Sequence, residues 1–397
     1  MMSALHQRLS VPFGYDVIFT RGLFDPAGDD ALARWLAIVP APRGRHRILA
    51  CVDDGLEAAQ PGLAHRISEW AAAHADLVEL VAPPRLVPGG ERIKNGFAHV
   101  KTLLEDIHHH RICRQSYVLI VGGGAVLDAV GLAASLAHRG VRQIRAPSTV
   151  LAQNDSGVGV KNGVNLFGKK NFAGVFAPPA VVFDDLDLLE SLSDRDWIAG
   201  TSEAFKVAII KDRAFFDWLV ANARGIPARD PAVMERLVRR CAELHVEHIG
   251  GSGDPFEQGA ARPLDFGHWS AHRLEALTGY ALRHGEAVAI GIALDTEYAV
   301  RVGRLTREEG DIVHRALVES GLPVWHDALE RADDEGRLVV LEGLREFQEH
   351  LGGELTVTLP DGLGRKVEVH EMDELVLERC VRRLRALAPA DEEKLRS

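Results

Sequence analysis

Residues 116–140, SYVLIVGGGAVLDAVGLAASLAHRG, leave few folds open to this chain. Tyr117 to Val121 form an unbroken apolar run, Gly122, Gly123 and Gly124 follow, and Val126 to Ala137 read as a helix with Ala and Gly on its packing face. A strand apolar on both faces belongs in a sheet covered on both sides, and its passage through a short turn into a helix is half of a parallel crossover. The turn also aims backbone N–H groups and the positive end of a helix dipole at one point, which is how a phosphate cradle is built. The spacing is not G-x-G-x-x-G, and tight packing alone also explains such a turn.

The same pattern repeats upstream. Tyr15 to Phe19, Arg47 to Val52 and Leu77 to Val81 read as strands, and Ala31 to Ile38, Gly62 to Ala75 and Glu91 to His108 as helices. Downstream come a strand at Gln143 to Ala146, a polar run from Pro147 to Pro179 and a last strand at Val181 to Phe183. The pattern then changes. Ser193, with Asp196 three later, predicts an N-cap opening a helix that runs through WIAGTSEAFKVAIIK, and helical spacing continues to about Ala316. The expectation is an α/β plus α chain, with a Rossmann-like parallel-sheet domain over 1–190 and a mainly helical domain over 191–397.

At 397 residues, 46% of them hydrophobic, the chain has material for two cores. A net charge of −11 excludes nucleic acid or an anionic membrane surface as the main partner. Cys51, Cys113, Cys241 and Cys380 lack C-x-x-C spacing, and no run of about 18 apolar residues is present, so a soluble cytoplasmic protein with reduced thiols is expected. Against this acidic background the polar run stands out. It gathers Asp155, Lys161, Asn165, Lys169, Lys170 and Asn171 among glycines, donors suited to phosphate and sugar hydroxyls.

His268 and His272 are four apart and share a helical face, and His284 follows beyond the break at Thr278-Gly279-Tyr280. A catalytic zinc needs three protein ligands and an open position, so these imidazoles with a carboxylate from elsewhere would suffice. With 18 histidines in the chain, hydrogen-bonded core positions are the competing reading.

GGGAVLD (Gly122 to Asp128), HRG (His138 to Gly140), PSTVLAQNDSGVGVKNGVN (Pro147 to Asn165), KKNFAG (Lys169 to Gly174), SEAFK (Ser202 to Lys206), DFGHWSAH (Asp265 to His272) and HGEAVAIG (His284 to Gly291) together resemble the 3-dehydroquinate synthase family of sugar phosphate cyclases, over about residues 45–300. DFGHW in particular is similar to the cyclase homologues of bacterial ebo-type gene clusters. The resemblance implies a dehydroquinate synthase-like fold, a homodimer, and NAD held by Asp53, Glu91, Lys94, Gly122, Gly123, Gly124, Asp128, Ser148 and Thr149. It implies Zn2+, Co2+ or another divalent ion on Glu203, His268 and His284. Asp155, Lys161, Lys170, Asn171 and Lys206 match positions around the substrate, and His272 one near the leaving phosphate. In that chemistry NAD takes a hydride from an alcohol, phosphate is eliminated, the hydride returns, and the opened ring recloses by an aldol step.

Three departures touch the substrate. His245 stands where the family carries a Lys; Asp265 replaces an Asn, with Ala261 at an Arg position and Arg262 beside it; and EFQEH, Glu346 to His350, replaces a C-terminal Asp-Lys-Lys. With Arg139, the residues His245, Arg262 and Asp265 are therefore expected to set specificity for a heptulose phosphate other than the carboxylated one of the shikimate pathway, such as sedoheptulose 7-phosphate. A metal-dependent polyol dehydrogenase of the glycerol dehydrogenase type and a catalytically silent binding homologue are the alternatives.

Overall fold

The computed structural model of the protein describes residues 4–41, 44–167, 169–251, 256, 264–351 and 353–387. They divide into two compact units, Met1–Ser148 with Gly159–Asp187, and Thr149–Val158 with Leu188–Ser397. The sequence predicts a single passage near residue 190; instead Thr149–Val158 leaves the α/β unit and joins the helical one. The reason is local. Asn154 donates to the Gly200 carbonyl at 2.8 Å, and Gly200 lies so close to Leu151 that a Cβ there would meet its backbone nitrogen at 2.6 Å.

The first unit holds strands β1 (Asp16–Thr20), β2 (His46–Asp53), β3 (Val78–Leu80), β4 (Arg85–Val87), β5 (Tyr117–Gly122), β6 (Arg142–Pro147), β7 (Lys161–Leu166), β8 (Lys169–Phe176) and β9 (Val181–Asp185). Its helices are α1 (Ala31–Ile38), α2 (Asp54–Ala59), α3 (Leu63–Ala73), α4 (Ala98–His109) and α5 (Gly124–Leu136). Seven strands make one sheet in the order β1-β9-β6-β5-β2-β3, with β4 also on β2. Every pairing in it is parallel. β5 is buried along its whole length, and β2 at all but one position, as continuous apolar runs require.

The polar run contains more order than its composition suggests, since β7 and β8 form an antiparallel hairpin. Gly163 faces Gly174 across it, and a Cβ on Gly174 would meet the Asn162 carbonyl at 2.5 Å. Glycine here permits close strand approach, which hides the usual alternation of a strand. The root of the hairpin is tied to β6 by the fully buried Arg145, which donates to the Gly159 carbonyl and to Asn162 Oδ1, both at 2.8 Å.

The second unit contains α6 (Asp194–Ala199), α7 (Ser202–Lys211), α8 (Arg213–Asn222), α9 (Pro231–Gly251), α10 (His268–Leu277), α11 (His284–Arg301), α12 (Arg307–Glu319), α13 (Glu342–Leu351) and α14 (Glu374–Arg385), with a small antiparallel pair, β10 (Val357–Pro360) and β11 (Lys366–Val369). Ser193 caps α6 as its spacing predicts, accepting from the Asp196 N–H at 3.1 Å. The expected single helix through Lys211 is broken after Ala199, where the close approach of Gly200 to Leu151 interrupts it. α11 is buried from Gly285 to Ala299, as befits a helix apolar nearly all round. A Cβ on Gly285 would meet the Ala199 carbonyl at 1.9 Å, and one on Gly291 the Gly267 carbonyl at 2.0 Å. Backbones in such contact bring the starts of α7, α10 and α11 together. No helix among the described residues is long and apolar enough to cross a membrane.

Candidate active site

Those three helix starts carry Glu203, His268 and His284, whose ligand-capable atoms all lie within 4.8 Å of one another. Glu203 Oε1 is 3.6 Å from His268 Nε2 and 3.7 Å from His284 Nε2. Both Glu203 carboxylate oxygens are buried without a hydrogen-bond partner, although the Lys206 ammonium pairs with one of them. Burial, reinforced by the Lys206 charge, holds the His268 imidazole well below its usual range, so the ring is neutral with a lone pair to offer. A buried carboxylate oxygen between two imidazoles, with that of His268 held neutral, fits a divalent metal.

Charge around this point supports the fit. Burial alone would depress Lys206, but Glu203 and Asp155, with Asp265 adding to them, raise it above its ordinary value. Three carboxylates around one ammonium make surroundings richer in acid than in base, which suits a cation, and burial raises the Glu203 carboxyl in its absence. Asp155 lies on a π-helical turn, Ala152–Ser156, and its Oδ1 is 2.9 Å from His245 Nδ1 on α9. Thus the expected substrate and specificity positions Asp155, Lys206, His245 and Asp265 gather in the unit that holds Glu203, His268 and His284. Arg262 and Ala261 lie outside the described residues.

The i,i+4 partner His272 has a different place. Its ring stacks on His284 at 6.0 Å with 27° between the planes, and it is exposed where His268 is buried. His272, Glu275 and His284 also cluster, but Glu275 Oε2 is 3.1 Å from His284 Nδ1, a hydrogen bond that turns His284 Nε2 toward Glu203. Sequence reasoning misses Glu275, a buried acid three residues after the exposed His272 on α10.

In the first unit, Gly123 caps α5 with no side-chain acceptor, leaving the opening N–H groups of the helix for an anion. Gly122 packs so closely that a Cβ would meet Val126 at 2.9 Å and Asp53 Cβ at 3.1 Å. Asp53 itself caps α2, accepting from the Gly55 N–H at 2.8 Å. Ser148 is buried at the end of β6, where its N–H donates to the Gly122 carbonyl; Thr149 belongs to the other unit, its Oγ1 accepting from the Ala152 N–H.

The residues of this unit that the sequence points to for cofactor and substrate are joined by side chains. The buried Lys94 donates to Asp128 at 2.6 Å and to Asn171 Oδ1 at 2.5 Å, while Glu91 accepts from Asn165 Nδ2 at 3.0 Å and has Lys170 Nζ at 4.0 Å. Asn171 sits at φ 51°, a left-handed conformation that places its side chain back toward Lys94. Lys161 is exposed on β7. Arg139 is exposed in the turn after α5, where His138, Arg139 and Gly140 all have positive φ, and no described contact joins it to the other candidates.

Residues 85–199 match the 3-dehydroquinate synthase N-terminal family model and residues 200–337 the C-terminal one. A 3-dehydroquinate synthase of Paracoccus denitrificans is 34% identical over 368 residues, covering 91% of this chain and 94% of that protein. The solved structure of ValA (2-epi-5-epi-valiolone synthase) from Streptomyces hygroscopicus, with NAD+ and Zn2+ bound, superposes with a TM-score of 0.84 at 26% identity, covering 96% of this chain and 100% of that one. A 2-deoxy-scyllo-inosose synthase complexed with carbaglucose-6-phosphate, NAD+ and Co2+ shares the fold at a TM-score of 0.75 and 21% identity, covering 93% and 96%.

Proposed function

The chain belongs to the 3-dehydroquinate synthase family, and from that premise we propose that it is an NAD- and metal-dependent sugar phosphate cyclase, a carbon–oxygen lyase that expels phosphate from a heptulose phosphate and closes a carbocycle. The observation that carries the reading is the buried Glu203 carboxylate, paired with Lys206 through Oε2 and turning Oε1 toward His268 and His284. Glu203, His268 and His284 would hold Zn2+ or Co2+, and the uncapped start of α5 with Gly122 to Gly124 would hold the NAD pyrophosphate. Bound there, the metal would supply Lewis acidity to substrate oxygens and NAD would supply a reversible hydride acceptor. In the helical unit Lys206 supplies positive charge for the enolate and His272 stands ready beside the metal set for proton transfer to phosphate; in the α/β unit Lys161 and Lys170 offer charge to phosphate groups and Asn171 is oriented by Lys94. The reading includes a homodimer, which sedimentation equilibrium checks.

We assign the substrate as a heptulose phosphate without a carboxylate, such as sedoheptulose 7-phosphate. Asp155 and Asp265 both act on Lys206, and His245 is already engaged with Asp155, so the cations that a carboxylated sugar needs are committed to acids of the site. A further carboxylate about 4 Å from Asp265 would cost on the order of 4 kcal/mol at an effective dielectric of 20, roughly a thousandfold in affinity. With catalytic NAD, inorganic phosphate release from sedoheptulose 7-phosphate is expected to exceed that from the 3-deoxy-heptulosonate phosphate of the shikimate pathway, with no NADH accumulating. Asp265→Asn is expected to improve the carboxylated sugar. Efficient turnover of that sugar by the wild type, with no gain from Asp265→Asn, overturns the substrate assignment; stoichiometric NADH without phosphate release overturns the cyclase and favours a polyol dehydrogenase.

A further inference from the structure

Asp295 is a carboxylate that none of this chemistry uses. It lies on α11 eleven positions after His284, hence on the same helical face about three turns on, and it is fully buried. Its Oδ2 accepts the backbone N–H of Gly267 at 3.0 Å, and its Oδ1 accepts the indole N–H of Trp269 at 2.8 Å. These two residues flank His268. His268 Nδ1 meets the Phe266 carbonyl at 3.1 Å, which leaves Nε2 facing Glu203.

An acid in this interior is costly to keep: burial raises its carboxyl to about 7. Holding α10 against α11 does not require it, because Gly267 and Gly291 already bring the two backbones into contact. What the acid adds is direction. Two acceptors from one rigid side chain fix the backbone before the histidine and the side chain after it, at the mouth of a helix whose Gly267 N-cap, at φ +79°, offers no side-chain bond.

We infer that Asp295 and Trp269 form a clamp that sets the rotation of the α10 start, so that Asp295 is a positioning residue for the metal ligand His268. This rests on the assignment of Glu203, His268 and His284 as the metal set. α11 then controls both imidazoles, carrying His284 at its first residue and steering His268 from its interior.

The test uses full-length chain stripped of metal and titrated with Zn2+ against a competing chelator, and with Co2+ by visible absorption. Asp295→Asn keeps the shape but turns an NH2 toward one of the two donors; Trp269→Phe keeps the ring and removes its N–H. Both are expected to weaken Zn2+ binding roughly tenfold to a hundredfold and to shift the Co2+ absorption bands, the range typical of lost supports behind a metal ligand. Should Asp295→Asn not fold, Trp269→Phe decides alone. Wild-type affinity and spectrum in the folded variants overturn the clamp, including the case in which only the melting temperature of the metal-free chain falls. Glu203→Ala, run in parallel, separates the two claims: if it binds metal like the wild type, the ligand assignment itself is wrong.

Discussion

The Glu203–His268–His284 region of the helical unit and the hairpin region of the α/β unit both gather charged side chains, but by opposite means. Glu203, Lys206 and His268 are buried, and their spacing follows from helices packed backbone to backbone at Gly285 and Gly291. Glu91, Asn165, Lys170 and Asn171 are exposed or half-buried on strands and a 3-10 turn, and their spacing follows from side chains bonded to one another. The first arrangement is fixed by packing that exists before any ligand arrives. The second is held by solvated pairs worth about 0–1 kcal/mol each, with Lys94 as its one buried post. A site meant to grip an ion at fixed radius suits the former, and one meant to close on a flexible phosphate ester suits the latter.

The contrast is broken most severely by Glu203→Ala. It removes the acid that pairs directly with the buried Lys206 and leaves that ammonium to Asp155 and Asp265, so the metal-free chain should lose stability, by at most about 3–5 kcal/mol, and metal content should fall to background while NAD affinity holds. Urea unfolding with elemental analysis measures both. The dryness of the helical unit is sharpened by pH. Asp295 is raised from an ordinary 3.8 to about 7, so its folded form favours the proton; its own contribution to stability is full below pH 4 and is lost as pH climbs through 7, by up to roughly 4 kcal/mol. Asp295→Asn should flatten that slope in a series of unfolding curves. The smallest effect is expected from Lys94→Met, which deprives Asp128 and Asn171 of their donor at about 1–3 kcal/mol. NAD titration should show weakened binding with metal content unchanged; loss of metal as well would erase the distinction between the regions.

Much of the α/β sheet is legible in the sequence, because β2 and β5 are continuous apolar runs and a buried parallel strand has no other look. The hairpin is not, since Gly163 and Gly174 stand where alternating side chains would announce it. Nor is the break after Ala199, which depends on a neighbour some fifty residues earlier in the chain. Helical spacing pairs His268 with His272, yet the structure sets His268 with His284 and a carboxylate from α7; only the family resemblance points to Glu203. Asp295 had a signal that periodicity reasoning passes over, an acid closing the apolar segment HGEAVAIGIALD on the same face as its first histidine.

Because the chain changes units after Ser148, again after Val158 and once more after Asp187, its halves are not portable. A graft of residues 188–397 onto a relative's front half would inherit a foreign 149–158 segment, and with it whatever that relative places opposite His245 and beside Gly200. Chimeras that treat residue 187 as a clean seam therefore mix two lineages inside one helical core, and Asp155 must travel with the rear half for its partners to remain matched.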